Sequence, residues 1–264
     1  TSEGIESVYK KALEAKTSAK GLNKIITLFF FDEMGLAERS ANNPLKIIHF
    51  LLEREPEESV PFLGISNWKL DAAKINRALN LSISDYDVSD LKETAITIAE
   101  AIDKDIASKY NDFLETLAQT YYDYLENINQ GMKENIDFHG NRDFYYLIKT
   151  ATRELIEKRE ELNIDKKKVL TETGLHALDR NFSGLKDSNI NIKKKFKELY
   201  EPYYDQRIDY NISLSVLDAI KKNISDSNTR YLMLISEGSD GLDIIKYLLT
   251  LEKRKYTELI GSRF

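Results

Sequence analysis

Ile25-Ile26-Thr27-Leu28-Phe29-Phe30-Phe31-Asp32-Glu33 is the stretch whose reading decides the fold. Seven apolar-type positions run without alternation and stop abruptly at two acids. A run of that kind reads as a strand buried on both faces, as in a parallel sheet. Downstream, Asn43 precedes Pro44, a cap followed by the helical position where a missing N–H costs nothing. Leu45, Ile48, Leu51 and Leu52 then share one helical face. A second apolar run, Val60 to Ile65, ends at Ser66-Asn67. Asp71 caps a short helix that delivers Arg77, and Leu79-Asn80-Leu81-Ser82-Ile83 alternates like a third strand. Strands alternating with helices imply right-handed crossovers and a parallel sheet. Upstream, Ser7 to Ala19 is polar and Lys-rich, with Val8, Leu13 and Ala15 spaced as on a surface helix.

From Asp87 the pattern turns helical. Val88, Leu91, Ala95, Ile98 and Ile102 form one stripe, and Tyr110, Phe113, Leu114, Leu117, Tyr121 and Tyr124 another. One further helix spans about Arg142 to Leu162; the next ends near Arg180, with Gly184 beyond it. Pro202 falls in a Tyr-rich polar linker, and Ile212 to Ile224 reads as a helix. Tyr231 to Ile235 then reads as a buried strand, Leu242 to Leu251 as a helix and Glu258-Leu259-Ile260 as a short strand. The expected organisation is an α/β block over 1–84, an all-α block over 85–225 and a fresh α/β start over 226–264.

Composition sets bounds on function. The 264 residues are 42% hydrophobic and 31% charged, ordinary for a globular chain. Cysteine is absent, which excludes disulfides and any cysteine-ligated zinc, a RING finger included. This fits a reducing, cytoplasmic setting. A net charge of −6 argues against nucleic acid as a partner, and the runs Lys166-Lys167-Lys168 and Lys193-Lys194-Lys195 read as solvated helix faces. The run from Ile25 to Phe31 is too short to span a bilayer, so no transmembrane segment is expected. No signal peptide opens the chain, and its start at Thr1 reads as a fragment with sequence upstream. His49, His139 and His176 lack metal-ligand spacing, and the 15 tyrosines and 11 phenylalanines read as core packing.

The chemistry sits at the strand ends. A carboxylate at the C-terminal edge of a parallel strand lies where such sheets bind ligands. There Asp32 suits Mg²⁺, and Glu33 suits a water that attacks a terminal phosphate. Asn67 ends the next strand and could orient the same water; Arg77, on the following helix, could reach a neighbouring unit's nucleotide as an arginine finger. Each residue also has a plain alternative: an acidic pair that solubilises a strand end, an Asn making a local turn, and an Arg paired with Asp85 or Asp87.

Several strings resemble one family. Phe31-Asp32-Glu33-Met34-Gly35-Leu36-Ala37-Glu38, Asn43-Pro44-Leu45-Lys46 and Gly64-Ile65-Ser66-Asn67-Trp68 are similar to the AAA+ core of the mysterin-type giant ubiquitin ligases, a dynein-like branch. Leu70-Asp71, Asn76-Arg77, Arg142 to Lys149, Arg180 to Gly184 and Arg230-Tyr231-Leu232 extend the likeness. The resemblance implies a partial AAA+ parallel-sheet core, an all-α lid and a short α/β segment. It implies the C-terminal part of one ATP-hydrolysing unit and the start of the next, with ATP and Mg²⁺ as cofactors. Asp32 and Glu33 would be Walker B, Asn67 sensor 1, Arg77 the finger and Arg142 sensor 2, with Arg180 its rival. Implied partners are neighbouring AAA+ units of the same chain and, through the parent, the ubiquitin machinery. One departure stands out: no Gly-x-x-x-x-Gly-Lys-[Ser/Thr] occurs in the chain. The isolated chain is therefore expected to bind ATP weakly and not to turn it over. Glu237-Gly238-Ser239-Asp240-Gly241 would occupy the phosphate-loop position of a following unit, without a lysine. The alternative is a non-catalytic helical scaffold descended from such a unit.

Overall fold

The computed structural model describes residues 1–19, 25–68, 70–131, 139–184, 186–211, 213, 215–226, 232, 234, 236, 238 and 240–259. Two compact units result, Thr1–Ser84 and Asp85–Phe264. As the sequence leads one to expect, a small parallel sheet with helices is followed by a mostly helical part.

The first unit opens with α1 (Ser2–Ser18), capped by the Thr1 hydroxyl, which accepts from Gly4 N–H at 3.2 Å. Val8 is exposed, and Tyr9 is the buried residue, packed with Ile5, Ala12 and Leu13. The Tyr9 hydroxyl accepts from the Val60 amide at 3.1 Å, which gives that buried N–H a partner just before the second strand. Two strands follow in one parallel sheet, β1 (Phe29–Phe31) and β2 (Phe62–Gly64), with Phe29 opposite Phe62 and Phe31 opposite Gly64. Between them lie α2 (Met34–Glu38) and α3 (Lys46–Leu52), and after β2 comes α4 (Ala72–Ile75), capped by Asp71. Leu45, Ile48 and Leu51 are buried as their spacing requires. Asn43 does not cap α3: it adopts a left-handed conformation in the turn before it, and Lys46 N–H bonds its carbonyl.

Burial on both sheet faces is not found. Phe29 is 5% exposed, but Phe30 and Leu63 are 51% and 48% exposed, so one face packs on α1 and α3 while the other lies open. Apolar composition registers that a face is suited to burial; only a covering element can bury it. Leu79 to Ile83 forms no strand and its apolar side chains are exposed. Alternation specifies faces, whereas a strand exists only where a neighbouring edge accepts its hydrogen bonds.

The second unit is built on α5 (Val88–Ile102), α6 (Lys104–Lys109), α7 (Asn111–Gly131), α8 (Asn141–Glu157), α9 (Arg159–Ile164), α10 (Lys166–Phe182) and α11 (Lys186–Leu199). Asp87 and Asp90 cap α5 reciprocally, each carboxylate accepting from the other's amide at 2.8 and 3.1 Å. The single helix expected over Arg142 to Leu162 is two, divided at Lys158. Helices α8 and α10, α5 and α7, and α7 and α11 pack pairwise around one core. Gly174 permits the closest approach: a Cβ there would lie 2.4 Å from the Phe196 ring. Tyr200 and Tyr204 are core residues, not a polar linker, because Thr171 on α10 bonds Asp205 N–H at 2.9 Å and draws the turn inward. Lys193 is likewise no solvated face; it is 2% exposed and paired with Asp179 on α10 at 3.1 Å.

Two last helices are α12 (Val216–Ser225) and α13 (Asp240–Leu251). Tyr231, Met233 and Ile235 of the expected strand Tyr231–Ile235, and Glu237 and Ser239 of the glycine-rich segment, lie outside the described residues. Glu258 and Leu259 form no strand, and Ile260 is again outside. Among the described residues, no helix is long and apolar enough to cross a membrane.

Candidate functional site

The ladder between β1 and β2 runs past the ends of the strands. Ile65 N–H donates to Phe31 C=O and Met34 N–H to Ile65 C=O, both at 2.9 Å. A regular parallel ladder spaces its bonds evenly; here one extra residue lies between the two bonds that Ile65 makes. Asp32 and Glu33 are therefore pushed out as a bulge, the device by which sheets re-aim side chains near sites. Glu33 carries the distortion, with φ 52° and ψ 41°, a left-handed conformation that costs a residue with a Cβ about 1–2 kcal/mol. Its N–H, withdrawn from the ladder, donates to Asp32 Oδ1 at 2.9 Å. Glu33→Gly is accordingly expected to raise the stability of the first unit by about 0.5–1 kcal/mol, read as a higher urea midpoint. An unchanged or lower midpoint would show that the bulge is not strained.

The two strings that follow the strands interlock. A Cβ on Gly35 would meet the Trp68 ring at 2.4 Å and Ser66 Oγ at 2.9 Å, so the absence of a side chain there lets α2 lie against the β2 exit. A Cβ on Gly64 would meet Met34 Sδ at 2.2 Å. The Ser66 hydroxyl donates to Trp68 C=O at 2.6 Å, and Arg39 lies 4.2 Å over the Trp68 ring. Glu38 Oε1 accepts from Asp71 N–H at 3.2 Å and from the Lys74 ammonium at 3.1 Å, joining α2 to α4. Lys74 is 6% exposed. Sequence reasoning missed this ion pair: nothing in a separation of 36 residues announces it.

Asp32 and Glu33 directly follow the C-terminal end of β1, and Asn67 lies three residues past the end of the adjacent parallel strand β2; all three are exposed. Arg77 lies past α4 in the same unit, where its Nε and one terminal nitrogen reach Glu53 Oε1 at 2.7 Å and another nitrogen bonds Ala73 C=O. Its partner is Glu53, not Asp85 or Asp87. An exposed pair of this kind contributes about 0–1 kcal/mol, too little to prevent the guanidinium from exchanging it for a stronger anion.

In the second unit, Arg142 is exposed in the first turn of α8, and among the described residues it makes no ion pair. The positive end of a helix dipole disfavours a cation there, so an anion would relieve it. Arg180 is differently placed, in the last turn of α10, where it bonds Asp226 at 3.2 Å alongside Arg153 at 3.5 Å.

The donor set at the sheet edge is one aspartate, one glutamate and one amide, all hard oxygen ligands. Mg²⁺ commonly uses one or two carboxylates with phosphate and water oxygens completing the octahedron, so these residues fit it as a shared ion. No group of three or more His, Cys, Asp or Glu suited to an all-protein cage occurs among the described residues.

Residues 1–90 match the family model described as the RNF213 AAA domain. Over its whole length the chain is 29% identical to the E3 ubiquitin-protein ligase RNF213 of Mus musculus and 26% identical to that of Homo sapiens. Over 99% of its length it is 30% identical to the E3 ubiquitin-protein ligase rnf213-beta of Danio rerio. The chain spans 5% of the length of each of these relatives.

Proposed function

We propose, from the premise that this chain belongs with the mysterin-type AAA+ proteins, that it supplies the acidic and phosphate-sensing side of one ATP site. The observation that supports this reading is the parallel pairing of β1 with β2: Asp32 and Glu33 follow β1 directly, and Asn67 lies three residues past the end of β2. Asp32 would hold Mg²⁺ together with phosphate oxygens. When bound, the ion supplies charge neutralisation on the transferring phosphoryl group. Glu33, aimed outward by the bulge, accepts a hydrogen bond from the attacking water, and Asn67 orients that water from the neighbouring strand end. Arg77 serves a neighbouring unit as the arginine finger. Arg142 closes on phosphate as sensor 2, a role its exposure and its unfavourable place on α8 support over the Asp226-bound Arg180.

In this reading residues 1–84 belong to the AAA+ core, 85–225 to its helical lid and 226–264 to the start of a following unit. Binding and hydrolysis of ATP change the shape of a ring of such units in a cytoplasmic ubiquitin ligase. The phosphate cradle is not encoded in these 264 residues, so the chain alone should release no phosphate from ATP.

In the full-length protein, Glu33→Gln should retain ATP through desalting while phosphate release at that site falls about tenfold or more. Unaltered phosphate release and unaltered retention together would remove Glu33 from the reaction.

A further inference from the structure

The second unit carries a groove of about 270 Å³ between the α6–α7 junction, the first turn of α10 and the turn after α11. Tyr110, Phe113, Tyr200 and Tyr203 line it, with Phe113 and Tyr203 each 5.6 Å from the Tyr200 ring. Lys109, Lys166 and Lys167 also line it. The ammonium groups of Lys109 and Lys166 both lie against Tyr110, 5.6 and 5.2 Å from the ring centre. None of the three lysines lies within 4.0 Å of a carboxylate oxygen among the described residues, and Lys167 feels Asp205 only at longer range, although the chain as a whole carries a net charge of −6. Lys168, the next in the run, pairs with Glu172, and the nearby Asp205 carboxylate is taken up by Arg207 at 2.9 and 3.0 Å. Asp112 is the one carboxylate in the lining. The amino end of α10 adds its own positive field to that of the lysines.

We infer that this groove is a docking site for an acidic peptide segment that seats one large aromatic side chain. The lining favours an aromatic anchor: four aromatic rings surround a groove of about 270 Å³ and give a large planar side chain a surface to pack on. Charge decides the flanks. Three lysines against one aspartate leave a positive rim that acidic residues beside the anchor neutralise. The inference draws nothing from the ATP site and stands or falls apart from it.

The probe is a short fluorescein-labelled peptide with one tryptophan between runs of glutamate, titrated with the 264-residue chain and read by anisotropy. Saturable binding that weakens as salt is raised is expected. Replacing the tryptophan by alanine, or making Lys109→Glu with Lys166→Glu, should each weaken binding about tenfold. Both lysines are exposed, so the double variant should keep its helical circular dichroism. No binding by the unaltered chain, equal binding by the folded double variant, or equal binding of the alanine peptide would each overturn the proposal. So would displacement of the probe by ATP but not by unlabelled peptide.

Discussion

Glu154→Ala is expected to destabilise the second unit by about 3–5 kcal/mol, the cost of breaking a buried ion pair from one side. Glu154 sits on α8, 6% exposed, and is met by one imidazole and two ammonium groups from three places. His176 on α10 lies at 3.0 Å, Lys158 just beyond the end of α8 at 2.7 Å, and Lys222 on α12 at 3.8 Å. Burial pushes this carboxyl upward, but the hydrogen bonds from His176 and Lys158, with the charges of Lys158 and Lys222, outweigh it and hold it at about 2. The sign follows from linkage. A carboxyl held below its ordinary range contributes stability that is complete above about pH 4.5 and is lost as pH falls towards 2. The fall from 4.5 to about 2 corresponds to about 3 kcal/mol. His139 acts in a higher window: burial lowers its affinity for a proton, so stability declines as pH drops below about 6.5. Urea melts of the unaltered chain and of Glu154→Ala across this range separate the two. If the variant loses as much stability at pH 7 as at pH 2, relative to the unaltered chain, the Glu154 carboxylate is not what titrates.

Asp179→Ala should cost a similar 3–5 kcal/mol, for a related reason. Asp179 is 5% exposed, and on it converge the Lys193 ammonium at 3.1 Å, the Asn189 amide at 2.8 Å and the Ser213 hydroxyl at 3.3 Å. The cluster fixes α11 and the segment before α12 onto α10. Asp179→Asn keeps an acceptor for Asn189 and Ser213 and should lose less, about half as much, because the hydrogen bonds persist while the charge does not. Equal losses for both variants would place the whole effect in the charge. A loss under about 1 kcal/mol for Asp179→Ala would show that water reaches Lys193 readily.

Legibility differed between the two units for physical reasons. The helical stripes around Leu91, Phe113, Leu117 and Tyr121 were readable because a helix satisfies its own backbone, so side-chain period alone decides its buried face. The strand pair was readable as a pair, but its extent was not. Phe29–Phe31 and Phe62–Gly64 keep a regular register only up to the bulge at Asp32 and Glu33, and Leu79–Ile83, with an equally good pattern, pairs with no strand among the described residues. Lys193 defeated a local reading for the same reason: a lysine run on a helix is solvated unless a carboxylate from another helix meets it, and Asp179 does.

The sequence by itself determined which residues bear chemistry: the acids after the first apolar run, the asparagine after the second, and the absence of cysteine and of a phosphate loop. Those are properties of residue type and order, and no folding can change them. The tertiary structure alone decided that Ile65 bonds both Phe31 and Met34, forcing Glu33 into a left-handed turn, and that Gly35 receives the Trp68 ring. It alone gathered Lys109 and Lys166 against one tyrosine. Apart from the neighbouring Lys109 and Tyr110, such contacts join residues tens of positions apart, and their energies depend on distance in space, which a linear order does not contain.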